Sequence, residues 1–273
     1  MAKLLIAGYG FLGHALERKF ESASWEVTKI NRSGRDGAIA CDVSSSVELA
    51  SLPSDFDLII HCAASGGGGE PAYQKVYLQG ARCLIERYPN TRLIFTSSTS
   101  VYPQEDHSLV TELSPAKPIS PTAQVLRKAE QSVLEAGGLV ARLSGLYGPK
   151  RCHVLRNLLS GEARIDGHGE RVMNFIHRDD AADAMLMLAE LDVFPRGEIY
   201  NVTAEPVSQH DCYAILAKHF GVPMPEQQHE VVKRKRGNSS KRVSNVKLKS
   251  LGWQPRYEDF LSLALACEAR QQS

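Results

Sequence analysis

A glycine-rich segment near the start of the 273-residue chain constrains the fold more than any other feature of the sequence. Residues 8–13 read G-Y-G-F-L-G, the pattern G-x-G-x-x-G, and join an apolar run over residues 3–7 to a predicted helix over residues 11–20. Here the first glycine permits a tight turn, the second lets the backbone approach a pyrophosphate, and the third lets helix and strand pack closely. We therefore predict a dinucleotide-binding loop whose phosphates meet the helix N terminus, with a ligand-free tight turn as the alternative. The predicted contacts are Gly8, Gly10, Phe11, Leu12 and Gly13.

The end of the second predicted strand bears on which dinucleotide is bound. An acidic residue there would hold the ribose 2′-hydroxyl of NAD, but the strand is followed by Asn31, Arg32 and Ser33. A carboxylate would repel a 2′-phosphate and an arginine fork binds one, so these residues favour NADP over NAD. A solvated surface arginine is the alternative for Arg32. Asp42 and Val43, after the third predicted strand, are expected at the adenine, although a turn cap would also explain Asp42.

The order of secondary-structure elements predicts an α/β fold. Apolar runs of strand length alternate with amphipathic stretches, and this order favours a parallel sheet covered by helices on both faces. The strands are apolar throughout because both of their faces are buried. The predicted strands cover residues 3–7, 26–30, 38–41, 58–62, 92–96 and 138–143, and the predicted helices cover residues 11–20, 71–88 and 122–136.

The alternation changes after about residue 149, where loops lengthen and helices dominate. A helix over residues 179–191 and a strand over residues 199–202 still match the first part of the chain. We therefore predict a doubly wound parallel sheet accompanied by a smaller, discontinuous C-terminal α/β domain. The predicted domains are residues 1–148 plus about 176–203, and residues of about 149–175 plus 204–273.

Charge and cysteine content argue against several classes of function. The 32 Lys and Arg residues balance 31 Asp and Glu residues, which is not typical of a dedicated nucleic-acid binder. The six cysteines are scattered, without C-x-x-C or a Cys/His set at zinc spacing, and so predict reduced thiols and no metal site. No apolar run approaches the roughly 18 residues of a membrane span, and the N terminus does not resemble a signal peptide. We expect a soluble cytoplasmic protein without a nucleic-acid or membrane partner.

Further segments follow the glycine loop in a characteristic order. They read C-D-V at 41–43, I-H-C-A-A at 60–64, F-T-S-S-T-S-V-Y at 95–102, R-L-S-G-L-Y-G-P at 142–149, F-I-H-R-D-D at 175–180, Y-N-V at 200–202 and L-G-W-Q-P at 251–255. With them the chain resembles the extended short-chain dehydrogenases/reductases, the NAD-dependent epimerase/dehydratase group, along nearly its whole length. The resemblance implies a Rossmann domain that binds NAD(P), with Ala63 and Ala64 beside the cofactor, a smaller C-terminal substrate domain and, in many members, a homodimer.

The resemblance also implies a catalytic Ser or Thr, a Tyr and a Lys, with an Asn nearby, and the chain departs from three of these positions. Ser98 occupies the serine position. The family segment S-P-Y-x-x-x-K reads S-P-T-A-Q-V-L over residues 120–126, which puts Thr122 at the tyrosine and Leu126 at the lysine. Tyr77 falls at the asparagine position. The chain is therefore closer to atypical members that keep the fold and lack the Tyr–Lys pair.

Few residues near the expected cleft offer a substitute acid/base. Tyr77 and Tyr147 are candidate phenols, with packing roles as their alternatives, and Arg127 would need a shifted helix register to face inward. The predicted catalytic residues are Ser98, Tyr77 and Thr122. The predicted substrate contacts are Ser98, Arg142, Tyr147 and Arg171.

Two segments bear on the substrate. The basic run at residues 233–236, with Lys241 and Arg242, would bind anionic groups such as those of the nucleotide-linked sugars that family members often use, with a solvated loop as the alternative. Four glycines at residues 66–69 predict a lid, a closely approached ligand or a flexible connector.

These features together predict an NAD(P)-binding epimerase, dehydratase or reductase. Its substrate would be small and polar, with a nucleotide-linked compound as one candidate, and it would act through Ser98 and a non-standard acid/base. A non-catalytic NAD(P)-binding sensor or scaffold is the main alternative, because three catalytic positions are changed. Non-redox chemistry in the same cleft, such as isomerisation, is a further one.

Overall fold

A seven-stranded parallel sheet organises the protein, for which a computed structural model describes residues 1–228 and 239–258. Its strands are β1 (Lys3–Ala7), β2 (Glu26–Asn31), β3 (Ile39–Ala40), β4 (Leu58–His61), β5 (Arg92–Ser98), β7 (Leu139–Leu143) and β12 (Ile199–Val202). They lie in the order β12-β7-β5-β4-β1-β2-β3, and each pairs in parallel with its neighbours. The strand order reverses between β1 and β4, the place where doubly wound sheets bind ligands. The predicted α/β, Rossmann-like sheet is confirmed.

Helices cover both faces of this sheet. Successive residues of a strand point to opposite faces, so each strand contributes side chains to two cores. The helices are α1 (Gly13–Ser22), α2 (Ser46–Ala50), α3 (Gly69–Tyr73), α4 (Gly80–Arg87), α5 (Pro121–Glu135), α6 (His153–Leu159), α7 (Arg178–Ala189), α8 (Gln209–Phe220) and α9 (Val246–Lys249). Leu4 and Ile6 of β1 belong to a core shared with α1 and α7. Leu5 and Ala7 belong to the opposite core, shared with α2, α4 and α5.

The remaining strands form two-stranded sheets outside the main sheet. They pair β6 (Leu109–Val110) with β15 (Arg242–Val243), β8 (Gly145–Tyr147) with β11 (Phe175–His177), β9 (Arg164–Asp166) with β14 (Glu226–Gln228), and β10 (Val172–Met173) with β13 (Val207–Ser208). A third apolar cluster lies among them, in which Leu155 and Leu158 of α6 are grouped with Cys212 and Leu216 of α8. The chain after β7 thus builds a further core beside the sheet, and the exact domain limits stay a prediction.

The helix predicted over residues 71–88 changes type along its length. A π-helical segment, Gln74–Gln79, separates α3 from α4. The four glycines before it all have positive φ, between 64° and 115°, and Gly69 already begins α3. This left-handed backbone explains the glycines, since other residues rarely adopt it. Inside the π segment, the carbonyl of Val76 accepts a hydrogen bond from Nε2 of the buried His61 at 3.1 Å.

The first turn of α7 joins the sheet to the C-terminal segment. Nδ1 of His177 caps the helix by accepting from the Asp179 backbone N–H at 3.2 Å. The buried carboxylate of Asp180 accepts from the backbone N–H groups of Arg256 and Tyr257, both at 3.1 Å. Among the described helices, none is both long and apolar enough to cross a membrane.

Candidate dinucleotide-binding cleft

A cleft of about 1470 Å³ runs along the carboxyl ends of the central strands. It is lined by the loops that follow β1, β2, β4, β5 and β7, as in other doubly wound sheets. The predicted cofactor residues that line it are Gly8, Gly10, Phe11, Leu12, Asn31, Arg32, Asp42, Val43, Ala63 and Ala64. Gly13 and Ser33 are not among the lining residues: Gly13 packs behind the loop, and Ser33 donates to Oδ1 of Asn31.

The three motif glycines have distinct environments. Gly8 has φ +112°, and a Cβ there would lie 2.1 Å from the backbone nitrogen of Ala63. A Cβ on Gly10 would meet no protein atom within 4 Å, so open space remains in front of this residue. A Cβ on Gly13 would lie 3.1 Å from the carbonyl oxygen of Gly8. The first and third glycines therefore permit close packing, and the second leaves the room that a pyrophosphate needs.

The N terminus of α1 is left without a side-chain cap. Leu12 occupies the cap position without a side-chain hydrogen bond, and the first turn contains no acidic residue. By contrast, Ser45, Ser120 and Ser208 cap α2, α5 and α8 through their hydroxyl groups. The first backbone N–H groups of a helix need acceptors and favour negative charge. The residues present therefore fit the diphosphate of a dinucleotide.

At the end of β2 the structure separates the roles of Asn31 and Arg32. Nδ2 of Asn31 donates to the carbonyl oxygens of Tyr9 at 3.2 Å and Arg35 at 3.1 Å, and Oδ1 accepts from the Ser33 N–H at 3.1 Å. Asn31 therefore shapes the turn. Arg32 is exposed, lines the cleft and makes no ion pair within the described parts of the chain. Its guanidinium group is thus available to an anionic ligand.

An ion pair between an exposed lysine and a partly buried aspartate lies on the neighbouring wall of the cleft. Oδ2 of Asp42 lies 2.8 Å from Nζ of Lys75, and Oδ1 accepts from the backbone N–H and hydroxyl of Ser44. Burial raises the pKa of the Asp42 carboxyl, but the hydrogen bonds from Lys75 and Ser44 outweigh burial and lower the pKa to about 2. Asp42 is therefore ionised and paired, and Lys75 is a cleft residue that the sequence analysis missed.

Two predicted catalytic residues, Ser98 and Tyr77, line the cleft as well. Oγ of Ser98 accepts from the Ser100 N–H at 3.2 Å and so caps the short 3₁₀ helix Thr99–Val101. Tyr77 belongs to the π segment, and its ring lies 6.4 Å from that of Phe95. Both predicted residues line the cleft.

The start of α5 places the remaining predicted catalytic position differently. Thr122 lies in the first turn of α5 and is not among the cleft-lining residues, whereas the apolar Leu126 is. Arg127 forms an ion pair with Glu130 on the same helix. Neither Thr122 nor Arg127 is therefore positioned by the structure as an acid/base of this cleft.

Two predicted substrate contacts, Arg142 and Tyr147, lie in protein cores instead. Arg142 is 1% exposed, and its guanidinium group donates to both carboxylate oxygens of Glu130 and to the hydroxyl of Tyr102. Tyr147 is buried in the third apolar cluster, with its ring 6.3 Å from that of Phe175. Strand geometry explains the correction for Arg142, because its position on β7 points toward α5 rather than toward the strand end.

Several further basic side chains line the cleft. Arg171 lines it as predicted and forms an ion pair with Asp166 at 3.0 Å. Arg151, which the sequence analysis missed, lies over the ring of Phe11 at 4.8 Å. Lys241 also lines the cleft. Arg242 points elsewhere, into a smaller cavity, and the basic run at 233–236 lies outside the described residues. Within the described ranges, no cluster of His, Cys, Asp and Glu could hold a metal ion.

A doubly wound sheet with an uncapped glycine loop at its switch point defines a Rossmann-type NAD(P)-binding protein. The model of the NAD dependent epimerase/dehydratase family matches residues 4–203, and the chain belongs to that family.

Similar proteins are consistent with this assignment. Protein YeeZ of Escherichia coli K12 is 30% identical over 246 residues, which cover 83% of this chain and 86% of YeeZ. A structure described as an NAD-dependent epimerase/dehydratase from Methylobacillus flagellatus is 28% identical, with a TM-score of 0.81 over 100% of this chain and 99% of the other. The UDP-glucuronic acid 4-epimerase from Bacillus cereus, in complex with UDP-glucuronic acid and NAD, is 21% identical, with a TM-score of 0.80 over 97% of each chain.

Proposed function

We propose that the protein is an NADP-dependent oxidoreductase of the epimerase/dehydratase type, acting at a hydroxyl or carbonyl group of a small polar substrate. The observation that carries this proposal is that the glycine loop and Ser98 open onto one cleft of about 1470 Å³. That volume is large enough for a dinucleotide and a second ligand. A sensor or scaffold would need neither the open substrate end nor a serine hydroxyl there.

The preference for NADP rests on the end of β2. Arg32 is exposed beside the cleft without an ion-pair partner in the described ranges, and the side chain of Asn31 is already committed to the turn. An arginine fork binds a phosphate through charge-assisted hydrogen bonds. No carboxylate follows β2 directly to select the free 2′-hydroxyl of NAD.

The chain's own residues bind and orient the reactants. The N–H groups of residues 10–13, which have no acceptor among the described residues, hold the diphosphate, and open space at Gly10 admits it. When bound, the nicotinamide ring supplies hydride transfer. The Ser98 hydroxyl, at the end of β5, hydrogen-bonds the reacting oxygen of the substrate.

The charges that line the cleft favour an anionic substrate. Arg151 lines the cleft without an ion pair among the described residues and so supplies positive charge, whereas Arg171 is already paired with Asp166. A sugar linked to a nucleoside diphosphate has this chemistry, and UDP-glucuronic acid is the ligand of the Bacillus cereus epimerase. We therefore place nucleotide-linked sugars first among the compounds to be tested.

Fluorescence titration with NADPH and NADH tests the cofactor proposal, using the wild type, Arg32→Ala and Arg35→Ala. Arg35 is the matched control because it is exposed on the same turn and does not line the cleft. We expect Arg32→Ala to weaken NADPH binding by about 10-fold or more, with NADH binding unchanged, since a charged hydrogen bond contributes roughly 1.5–3 kcal/mol. Arg35→Ala should change neither. Absence of binding of either nucleotide at millimolar concentration would refute the proposal.

Turnover is tested with NADPH and a panel of carbonyl compounds, and with NADP and UDP-sugars. Ser98→Ala should lower kcat by roughly 10²-fold, because a donor to the reacting oxygen is lost. Ser100→Ala is the control, since Ser100 lines the same cleft and contacts Ser98 only through its backbone N–H. Equal turnover of Ser98→Ala and wild type would exclude the role of Ser98.

A further inference from the structure

Lys241 is a buried cleft lysine without an acidic partner. It precedes β15, which pairs with β6, and it is one of the residues that line the cleft. The residue is 2% exposed, and no carboxylate forms a salt bridge with it in the described parts of the chain. An isolated buried ammonium group is costly, so a lysine in this position favours its neutral form or a charged ligand.

The hydrogen bonds of Lys241 match a neutral amine. Nζ donates to the carbonyl oxygen of Tyr102 at 2.8 Å and to Oγ of Ser239 at 2.5 Å. In the neutral form of the amine, these two acceptors would use both N–H groups and leave the lone pair free to accept a proton. A charged ammonium has a third N–H group, for which no acceptor exists among the described residues.

The charged groups around Lys241 are few. Burial lowers the pKa of the Lys241 amine to about 8, and the negative charge of Glu105 opposes this effect only in part. His107 contacts the adjacent Ser240 rather than Lys241, with Nδ1 at 2.9 Å from Oγ. Arg171 also lines the cleft, and its charge is paired with Asp166 at 3.0 Å. The amine is therefore able to gain and lose a proton near physiological pH.

The backbone holds Lys241 in a fixed relation to Ser98. Both side chains line the cleft, and Tyr102, whose carbonyl binds the amine, follows Ser98 by four residues. The turn between them is closed by the Tyr102 N–H, which donates to the Thr99 carbonyl at 3.2 Å. The ring of Tyr102 is anchored as well, because its hydroxyl donates to Oδ1 of Asn201 at 2.8 Å. The serine and the amine thus line one cleft and are linked through the turn that ends at Tyr102.

We propose that Lys241 is the acid/base of this cleft and exchanges the proton of the substrate hydroxyl during hydride transfer. The inference rests on the proposed function. In oxidation, the C–H bond of a secondary alcohol breaks and its electron pair leaves as hydride to the nicotinamide ring of NADP. The O–H proton passes to the lone pair of Lys241, so a ketone and an ammonium group result. In reduction both transfers reverse. Lys241 thereby does the work for which the family uses a tyrosine.

The protonation state of Lys241 is measured by competitive labelling. The folded protein and the same protein unfolded in urea are acylated with trace acetic anhydride between pH 6 and pH 11, and the Lys241 peptide is quantified by mass spectrometry. We expect labelling in the folded protein to titrate at least about one pH unit below that in urea, where lysine has its ordinary pKa of about 10.4. Labelling that titrates no earlier than in urea, or no labelling at all, would overturn the inference, whatever the activity.

Variants separate proton transfer from folding and binding. Lys241→Met keeps the length of the side chain, Lys241→Arg keeps a permanent charge, and Lys247→Met is the control because Lys247 pairs with Glu198 outside the cleft. With the best substrate of the panel, both Lys241 variants should lower kcat by about 10²-fold or more. The pH dependence that matches the labelling curve should vanish in both. NADPH affinity and the urea midpoint of Lys241→Met should remain close to those of wild type, whereas Lys241→Arg buries a permanent charge and should lower the urea midpoint.

The outcomes distinguish this inference from the function on which it rests. Turnover that survives Lys241→Arg with an unchanged pH profile overturns the role of Lys241 and leaves the oxidoreductase intact. A panel without turnover, or protein that binds no nucleotide, refutes the proposed function instead. Early labelling combined with loss of turnover in both variants supports the acid/base role.

Discussion

The guanidinium group of Arg142 meets the carboxylate of Glu130 through two hydrogen bonds, Nε to Oε1 at 3.0 Å and Nη2 to Oε2 at 2.8 Å, inside the core between β7 and α5. Both residues are at most 1% exposed, and Ser97 donates to the same carboxylate at 2.6 Å. The pair therefore contacts the end of β5, where Ser97 directly precedes Ser98.

Removing the charge of Glu130 should destabilise the protein strongly. In Glu130→Gln the buried Arg142 loses its counter-charge, which costs about 3–5 kcal/mol in comparable sites. Urea unfolding checks the change in free energy. Glu135→Gln, at the exposed end of the same helix, is the control and should change stability by no more than about 0.5 kcal/mol. Wild-type stability in Glu130→Gln would show that the pair does not hold the core.

Alanine substitutions should separate the structural glycine of the loop from the ligand-facing one. Gly8→Ala places a Cβ 2.1 Å from Ala63 at φ +112°, so we expect a loss of at least about 2 kcal/mol in stability. Gly10→Ala meets no protein atom within 4 Å and should fold normally, but weaken NADPH binding by about 10-fold or more. Thermal unfolding and NADPH titration measure the two effects. The reverse pattern would contradict the roles assigned to these glycines.

The Asp42–Lys75 pair should contribute stability that depends on pH. The folded-state pKa of Asp42, about 2, lies below its usual value of 3.8, so the contribution is present above pH 3.8 and lost as the pH falls through 2. Lys75→Met should lower stability by about 1 kcal/mol at pH 5, and by progressively less toward pH 3. Urea unfolding of both proteins over this range gives the difference. A constant difference would mean that Lys75 acts only through packing.

The contact between α7 and the segment after Trp253 should depend on Asp180. In Asp180→Ala the N–H groups of Arg256 and Tyr257 lose their acceptor, and we expect a loss of about 2 kcal/mol in the free energy of unfolding. Asp192→Ala, at an exposed position after the same helix, should leave stability unchanged within about 0.5 kcal/mol. Equal stability of the two variants would show that the carboxylate does not hold the segment.

Local patterns were sufficient to predict the sheet and the phosphate loop. The apolar runs of β1, β4 and β5 are buried on both faces, and the glycine spacing has a direct geometric reason at each position. The start of α1 was misplaced by two residues, because the turn that contains Gly10 and Phe11 resembles helix in its sequence.

The sequence of α5 contains an indication that Arg142 points inward. Leu126, Ala129, Glu130 and Val133 form the buried stripe of α5, so one acidic residue interrupts an otherwise apolar face. A buried carboxylate requires a buried cation, and Arg142 lies on an apolar strand. However, the ion pair joins α5 to β7, and the spacing of side chains within each of these segments does not show that Glu130 and Arg142 meet.

The position of Lys241 could not have been predicted in the same way. Its burial depends on the pairing of β15 with β6, more than 130 positions earlier in the chain, and on a carbonyl supplied by the turn after β5. Likewise, no residue pattern predicts the π-helical segment Gln74–Gln79, because it differs from an α-helix only in which backbone groups are hydrogen-bonded.

The placement of β12 has a consequence for how the chain reaches its native state. This strand covers one side of β7, yet it emerges from the ribosome roughly 60 residues after β7 does. Until then, the growing chain presents an open, apolar strand border to any neighbouring polypeptide. A fragment that ends at the predicted boundary near residue 148 would keep that border permanently, so the predicted cofactor domain would need β12, from a later part of the chain, to stay soluble.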